Sequence, residues 1–232
     1  MSAWRRDGDR LIETGFAEIG ADAAFTLAGL GDMSDAAARR KAFGDERPAI
    51  CSQTHGTAIV EAAATDAGRE FAAADGLAVS GEDSPAIVIR TADCAAVYLF
   101  GASEERAVLV HAGRKGAAAG IVEKAASLFK NPSSIRAAVG PHIGACCYEV
   151  GGDVGGEFGQ FFDGKKLDLG GFIMSRLKAS GVPAANISPA NICTCCGGGD
   201  YFSYRRQGKA AGRHAAFLKM SAITGKRREP DK

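Results

Sequence analysis

Apolar residues between positions 86 and 111 come in unbroken runs: Ala-Ile-Val-Ile-Arg-Thr (86–91), Ala-Ala-Val-Tyr-Leu-Phe (95–100) and Ala-Val-Leu-Val-His (107–111). Runs of this length, rich in β-branched and aromatic residues and bounded by turn residues, predict buried strands. Shorter strands are expected at 49–53, at 77–80 after the Asp75-Gly76 turn, and at 135–139. Helical spacing marks 117–129, directly after a strand and the glycines Gly113 and Gly116. The Ala-rich segment 34–43 reads as a helix with Ser34 as N-cap, and 172–180 as another, ended by Gly181 and Pro183. Asp153 is placed to cap a short helix running to Phe162.

Two C-terminal segments complete the reading: an aromatic strand over 200–206 and a closing helix over 213–220. The first 30 residues mix charge with glycine and predict no firm element. Strands and helices are interspersed without a steady βαβ rhythm, so the pattern predicts an α+β fold, with helices outside packed sheets. Neither a repeat nor a clear linker divides the 232 residues, which are assigned to a single domain.

Composition narrows the function. A content of 46% hydrophobic and 24% charged residues is that of an ordinary globular protein. A net charge of +1 gives no reason to expect a nucleic-acid track or an anionic membrane surface as partner. No run approaches the roughly 18 apolar residues of a membrane span, and the N-terminal segment lacks the apolar core of a secretory signal. The basic run at 226–232 is expected to be a solvated tail. Seven cysteines, an odd number, fit reduced thiols in a cytoplasmic protein better than a disulfide framework.

The candidate chemistry lies in three short stretches: Ser-Gln-Thr-His-Gly-Thr (52–57), Thr-Ala-Asp-Cys (91–94) and His-Ala-Gly-Arg-Lys-Gly (111–116). Each sets a metal-ligating side chain, His55, Cys94 or His111, at a strand end or beside glycine, where functional groups are commonly displayed. Two imidazoles and a thiolate suit zinc and leave its fourth position open, as in catalytic zinc sites. The intervals are far longer than a zinc finger's, so a buried cysteine with two incidental histidines stays open as the alternative. Asp93, beside Cys94, is either a carboxylate able to move protons or an Asx-turn residue.

Arg205 and Arg206 would alternate faces on a strand, so that one could grip phosphate or carboxylate while the other faces solvent. Cys193-Thr-Cys-Cys196 contains a Cys-x-x-Cys, but the glycines that follow cannot open the helix a redox motif needs. A zinc knuckle there would need a second pair; Cys146-Cys147 could supply it only by spatial proximity, and the sequence reads against it.

Taken in order, Gln-Thr-His-Gly-Thr (53–57), Thr-Ala-Asp-Cys (91–94), His-Ala-Gly (111–113), Gly-Pro-His-Ile-Gly (140–144), Cys-Tyr-Glu-Val (147–150) and Phe-Ser-Tyr-Arg-Arg (202–206) with Gly-Arg (212–213) resemble one family. It is the bacterial laccase-domain family, long labelled multicopper polyphenol oxidase or peptidoglycan editing factor, and the motif-bearing part covers roughly residues 24–220. The resemblance implies a layered αββα sandwich and zinc held by His55, Cys94 and His111. It also implies phosphorolysis of adenosine, inosine, guanosine and methylthioadenosine, with adenosine deamination as a second activity. Asp93 and Cys94 are then the expected catalytic residues, and Gln53, Arg205 and Arg206 the expected groups for nucleoside and phosphate.

Three departures stand out: Arg114-Lys115 where the family has Trp-Arg, Ser52 where it often has Asn, and a shortened upstream segment whose arginine could be replaced by Arg39, Arg40 or Lys41. They leave the metal ligands intact and bear on phosphate binding and substrate range. A metal-free cysteine hydrolase or amidase acting on a cell-wall precursor, with Cys94 as nucleophile and His111 or His55 as base, competes for the same residues. A metal-stabilised binding module is a third reading. Copper-dependent oxidation is weakest, because four histidines are too few for multicopper chemistry.

Overall fold

The computed structural model describes residues 3–221, so the expected tail at 226–232 lies outside the described residues. The chain begins with β1 (Trp4–Asp7), β2 (Arg10–Glu13), α1 (Thr14–Ala17) and β3 (Ala21–Thr26), followed by α2 (Ala36–Phe43). Next come β4 (Ala49–Cys51), β5 (Ile59–Glu61), β6 (Glu70–Phe71), β7 (Gly76–Ser80), β8 (Ile87–Thr91), β9 (Ala95–Gly101) and β10 (Arg106–Ala112). The rest comprises α3 (Arg114–Ala118), α4 (Ile121–Ala126), β11 (Arg136–Val139), α5 (Gly155–Phe158), α6 (Leu169–Ala179), β12 (Ile187–Pro189), α7 (Tyr204–Gln207) and β13 (His214–Met220).

The strands form two mixed sheets. One has the order β1-β2-β3-β13-β8-β4-β6, and the other β12-β11-β9-β10-β7-β5. Side chains alternate between the faces of each sheet, and both faces are buried. In β9, Ala96, Tyr98 and Phe100 enter the core shared by the two sheets, while Val97 and Leu99 enter a second core beneath α4 and α6. In β8, Ile87 and Ile89 point to the shared core, and Val88 joins Met33, Ala42 and Ala215 under α2. Double-sided burial is why these strands read as unbroken apolar runs. The result is the expected α+β sandwich, layered helix, sheet, sheet, helix.

Two expectations for the C-terminal segments are overturned. Residues 213–220 do not form a helix: β13 lies between β3 and β8 and pairs antiparallel with both. Its Ala-rich sequence favours a helix locally, but burial of Ala216 and Leu218 on one face and Ala215 on the other overrides that preference. Nor is 200–206 a strand. Ser203 caps α7 by accepting from the Arg206 N–H at 3.2 Å, and Gln207 returns a bond to the Ser203 N–H at 2.8 Å. The alternation assumed for Arg205 and Arg206 therefore does not apply.

Elsewhere the differences are local. Three strands occupy the first 30 residues. Asp35, not Ser34, caps α2. The expected helix at 117–129 is two, α3 and α4, separated at Gly120, whose φ of 89° breaks the spiral. Asp168 caps α6 and starts it before Phe172. The span from Asp153 to Phe162 is a chain of short helical turns around α5 rather than one helix. Among the described residues no helix is long and apolar enough to cross a membrane.

Tyr98 links the sheets directly, its fully buried hydroxyl donating to the Ala24 carbonyl of β3 at 2.8 Å. Tyr98→Phe is expected to destabilise the fold by about 1–2 kcal/mol in urea denaturation, because it leaves a buried acceptor unpaired. An unchanged midpoint would show that the contact between the sheets is apolar alone.

Candidate metal centre

The chain passes from one sheet to the other at the turns that carry the first two motifs. Between β8 and β9 lie Ala92, Asp93 and Cys94, and between β4 and β5 lie Gln53 to His55. His111 ends the apolar run of β10 on the same face as Leu109, toward the inter-sheet core. Three residues remote in sequence thus meet at one end of the sandwich. Their ligand atoms, one each from His55, Cys94 and His111, lie within 4.8 Å of one another. The Cys94 Sγ and His55 Nε2 are 3.9 Å apart, and the two imidazole rings meet edge to face at 4.8 Å.

Asp75, which the sequence presented only as half of an Asp-Gly turn, organises this cluster. Its Oδ1 accepts from His111 Nδ1 at 2.9 Å and from the His55 backbone N–H at 2.8 Å. Its Oδ2 accepts from the Thr54 N–H and hydroxyl, both at 3.0 Å, and from the Gly56 N–H at 2.8 Å. Because an ionised carboxylate only accepts, His111 donates from Nδ1, leaving Nε2 with a lone pair for a ligand. Burial opposes charge on Asp75, but the donors from His111, Gly56 and Thr54 outweigh it and hold the carboxyl well below the usual carboxylate range.

The same balance acts on the ligands. Burial opposes the Cys94 thiolate, yet His111 and His55 outweigh it and draw the thiol down to about 6. Burial opposes a charged His111, yet Asp75 and Cys94 lift the ring to about 9. The shifts run in opposite directions because each group favours the charged form of the other, and a cation bound to both would take the place of their protons. The donor set fits zinc: borderline nitrogen and sulfur ligands, one braced imidazole and one exposed one, with no fourth protein ligand in the cluster. Gly113 is part of the fit, since a Cβ there would lie 2.8 Å from the Cys94 Sγ and 3.1 Å from the His55 ring.

The cluster opens into a cavity of about 580 Å³, the size of a small-molecule site. Gln53, Asp93, Tyr148 and Arg205 line it, as do Arg213, a motif residue to which the sequence assigned no role, and Arg90, which sequence reasoning missed. Arg205 crosses the Tyr148 ring at 5.4 Å and donates to the Glu149 carbonyl at 2.8 Å. Among the described residues neither the Arg205 nor the Arg213 guanidinium forms an ion pair, although the backbone N–H of each donates to a carboxylate, Asp93 and Asp32 respectively, whereas the Arg90 guanidinium is held by Glu70 at 2.8 Å. The Arg213 guanidinium donates to the Ala211 and Gly212 carbonyls. Arg206 turns away, donating to the carbonyls of Thr194, Cys195 and Tyr201.

Asp93 has both carboxylate oxygens engaged, with the Thr194 hydroxyl and the Arg205 N–H each at 2.6 Å. The Gln53 amide pairs with the backbone of Arg90 through both its ends, at 2.6 and 2.8 Å. It retains one N–H and one lone pair for any ligand. His214, passed over as incidental, accepts from the Phe202 N–H at 2.7 Å and so ties the approach to α7 onto β13. Burial pulls its ring down to about 4, consistent with a neutral acceptor.

The fold and site together thus comprise a two-sheet sandwich that gathers two histidines and a cysteine at one end, beside a cavity. Residues 33–221 match the family model described as multi-copper polyphenol oxidoreductase laccase, and the chain belongs to that family. It is 35% identical over 181 residues to a purine nucleoside phosphorylase of Clostridium acetobutylicum, covering 72% of this chain and 74% of that one. It is 33% identical over 144 residues to an adenosine deaminase, RL5, from an unknown prokaryotic organism, covering 55% of each. The crystal structure of YlmD from Geobacillus stearothermophilus superposes with a TM-score of 0.85 at 26% identity, covering 96% of this chain and all of that one.

Asp75→Asn removes the carboxylate behind His111 while keeping its size. Metal affinity, measured by competition with a chromogenic chelator, is expected to fall about 10–100-fold. Unchanged affinity would mean that Asp75 shapes the loop without tuning the ligand.

Proposed function

We propose that the protein is a zinc-dependent purine nucleoside phosphorylase with a secondary adenosine deaminase activity. The observation that carries this reading is the three-ligand cluster, braced by Asp75 and open to a nucleoside-sized cavity bordered by arginines. The two similar proteins, a purine nucleoside phosphorylase and an adenosine deaminase, support the same reading. The substrates are taken to be adenosine, inosine, guanosine and methylthioadenosine.

Phosphorolysis breaks the bond between the anomeric carbon and the purine nitrogen, forms a bond from phosphate oxygen to that carbon, and delivers a proton to the departing base. Arg205 lines the cavity with a guanidinium that makes no ion pair and gives one N–H to the Glu149 carbonyl, which suits it to a phosphate dianion. Arg213 lines the cavity too, but one of its guanidinium nitrogens is spent on the Ala211 and Gly212 carbonyls. Arg206 is assigned a supporting role instead, since its donors are spent on loop carbonyls. Gln53 and the Tyr148 ring supply a polar edge and a flat face for the nucleoside. Asp93 is the carboxylate placed to pass protons; to do so it must exchange the Thr194 donor for a substrate group. Zinc at the trio would supply a Lewis-acidic fourth position that polarises a water or substrate atom.

The arrangement of Cys94, His111 and Asp75 also resembles the relay of a thiol hydrolase, which sustains the competing reading of a metal-free amidase. A hydrolase thiol needs one imidazole, whereas here two converge on a single sulfur. That convergence favours the metal.

Purified protein is expected to release free base and ribose 1-phosphate from adenosine or inosine in phosphate buffer, and Cys94→Ala to lose both zinc and this activity. Absence of phosphorolysis in zinc-loaded protein would refute the function, and full zinc occupancy in Cys94→Ala would refute the ligand set. Loss of one charged hydrogen bond in Arg205→Ala is expected to raise the KM for phosphate roughly 10-fold or more, with zinc content unchanged.

A further inference from the structure

The described residues contain a second group of convergent ligands that the proposed activity does not use. Cys146, Cys147, Cys193 and Cys196 bring their sulfurs within 4.8 Å of one another, and Cys146 and Cys196 are 3.6 Å apart. A tetrahedral zinc with sulfur bonds of about 2.3 Å has sulfur–sulfur edges of about 3.8 Å. A disulfide would need about 2.05 Å and would involve only two of the four. All four are free thiols, half-buried or exposed, so a cation can reach them.

The surrounding backbone is shaped for this cluster. Gly144 accepts from the N–H groups of Cys147 and Tyr148, both at 3.0 Å, in a turn that brings both adjacent thiols to the same place. Cys193-x-x-Cys196 spans a second turn, held against the first where His142 and Cys193 bridge. The Gly144 N–H donates to the Cys193 sulfur at 3.2 Å, the kind of bond that stabilises a thiolate ligand. The glycines that argued against a redox helix now have a use. A Cβ on Gly197 would lie 2.6 Å from the Cys193 carbonyl, and one on Gly144 would lie 3.3 Å from the Cys193 Cβ.

We propose that these four cysteines form a closed, structural zinc site that clamps the segment before Tyr148 to the segment carrying Thr194. Binding replaces the thiol protons, which go to solvent, and leaves four thiolates around one dication with a net charge of −2. Two cations stand by: Lys166 donates to the Cys146 carbonyl at 3.3 Å, and Arg206 to the Thr194 carbonyl at 3.1 Å. Four protein ligands leave no open position, so the site does no chemistry of its own. Its effect reaches the cavity through Thr194, which donates to Asp93, and through Glu149, which accepts from Arg205. The inference does not depend on the proposed reaction.

Zinc per chain is measured by plasma mass spectrometry on reduced wild-type protein and on Cys193→Ser/Cys196→Ser. The double variant is expected to hold one zinc fewer than the wild type. Equal zinc content in the two would overturn the site. Cys94→Ala, loaded with cobalt(II), keeps the question decidable even if the double variant does not fold. It is expected to show the intense sulfur-to-metal charge-transfer absorption of four thiolates. Cobalt bound without that absorption, no cobalt bound at all, or a Cys146–Cys196 disulfide in the freshly purified wild-type chain would each overturn the proposal.

Discussion

The carboxylate of Asp75 is the contact on which the centre depends. It receives five donors, and these come from both sides of the site: the His55 loop through backbone and Thr54, and β10 through His111. A buried carboxylate is costly unless such donors compensate it. Once compensated, it does two jobs with one charge. It fixes the tautomer of His111, and it holds the backbone of His55 in a left-handed conformation at φ 62°. Gln53 at φ 60° and Asp93 at φ 89° share that strained region, at a cost of about 1–3 kcal/mol each. Each has a compensating tether: the Gln53 amide on Arg90, and the Asp93 carboxylate on Thr194 and Arg205.

The strain has a topological origin. A strand that leaves one sheet and enters the other must turn sharply, and the β4–β5 and β8–β9 connections do so in a few residues. Those turns are where side chains can leave the alternation of the strands and converge on one point. His111 needs no such turn, because the end of β10 already faces the gap between the sheets. Gly116 completes the corner: a Cβ there would lie 2.8 Å from the Gly56 carbonyl, so the start of α3 and the His55 loop can close together only around glycine.

How much of this was legible in the sequence follows from the same physics. The buried strands were readable because two-sided burial writes an unbroken apolar run, and the three ligand positions because each sits at a strand end or beside glycine. Asp75 was not, since its chemistry lies in partners brought by other strands, and an Asp-Gly pair before a strand reads the same whether or not a histidine waits behind it. Arg90 was hidden for a related reason, because it lies inside an apolar strand and only sheet order shows that it borders the cavity, and Arg213 stood in the Gly-Arg motif without a role until the structure set it at the cavity wall. The segment 213–220 misled because alanine favours a helix wherever tertiary packing does not decide. The four-cysteine cluster was dismissed on local grounds, and local spacing carries no information about a pairing between two distant turns.

The two cysteine-bearing sites therefore differ in what maintains them. The trio draws two of its members from connections between sheets and the third from the end of β10, so its geometry is set by the packing of the whole sandwich, with Tyr98 and the shared core as its foundation. A metal bound there would add to a shape that already exists, since the Asp75 bonds and the sheet packing hold the three side chains together without it. The four-cysteine group joins two turns whose outer thiols, Cys146 and Cys196, are exposed, and a closed set of ligands would suit that place, with the cation supplying the cross-link. Arg206 belongs to this second region, spanning the turn carbonyls, while Arg205, its neighbour on α7, reaches the cavity. Neighbours on one helical turn point about 100° apart, so one arginine supports the wall while the other faces the cavity, a division that strand alternation between opposite faces would have imitated for a different reason.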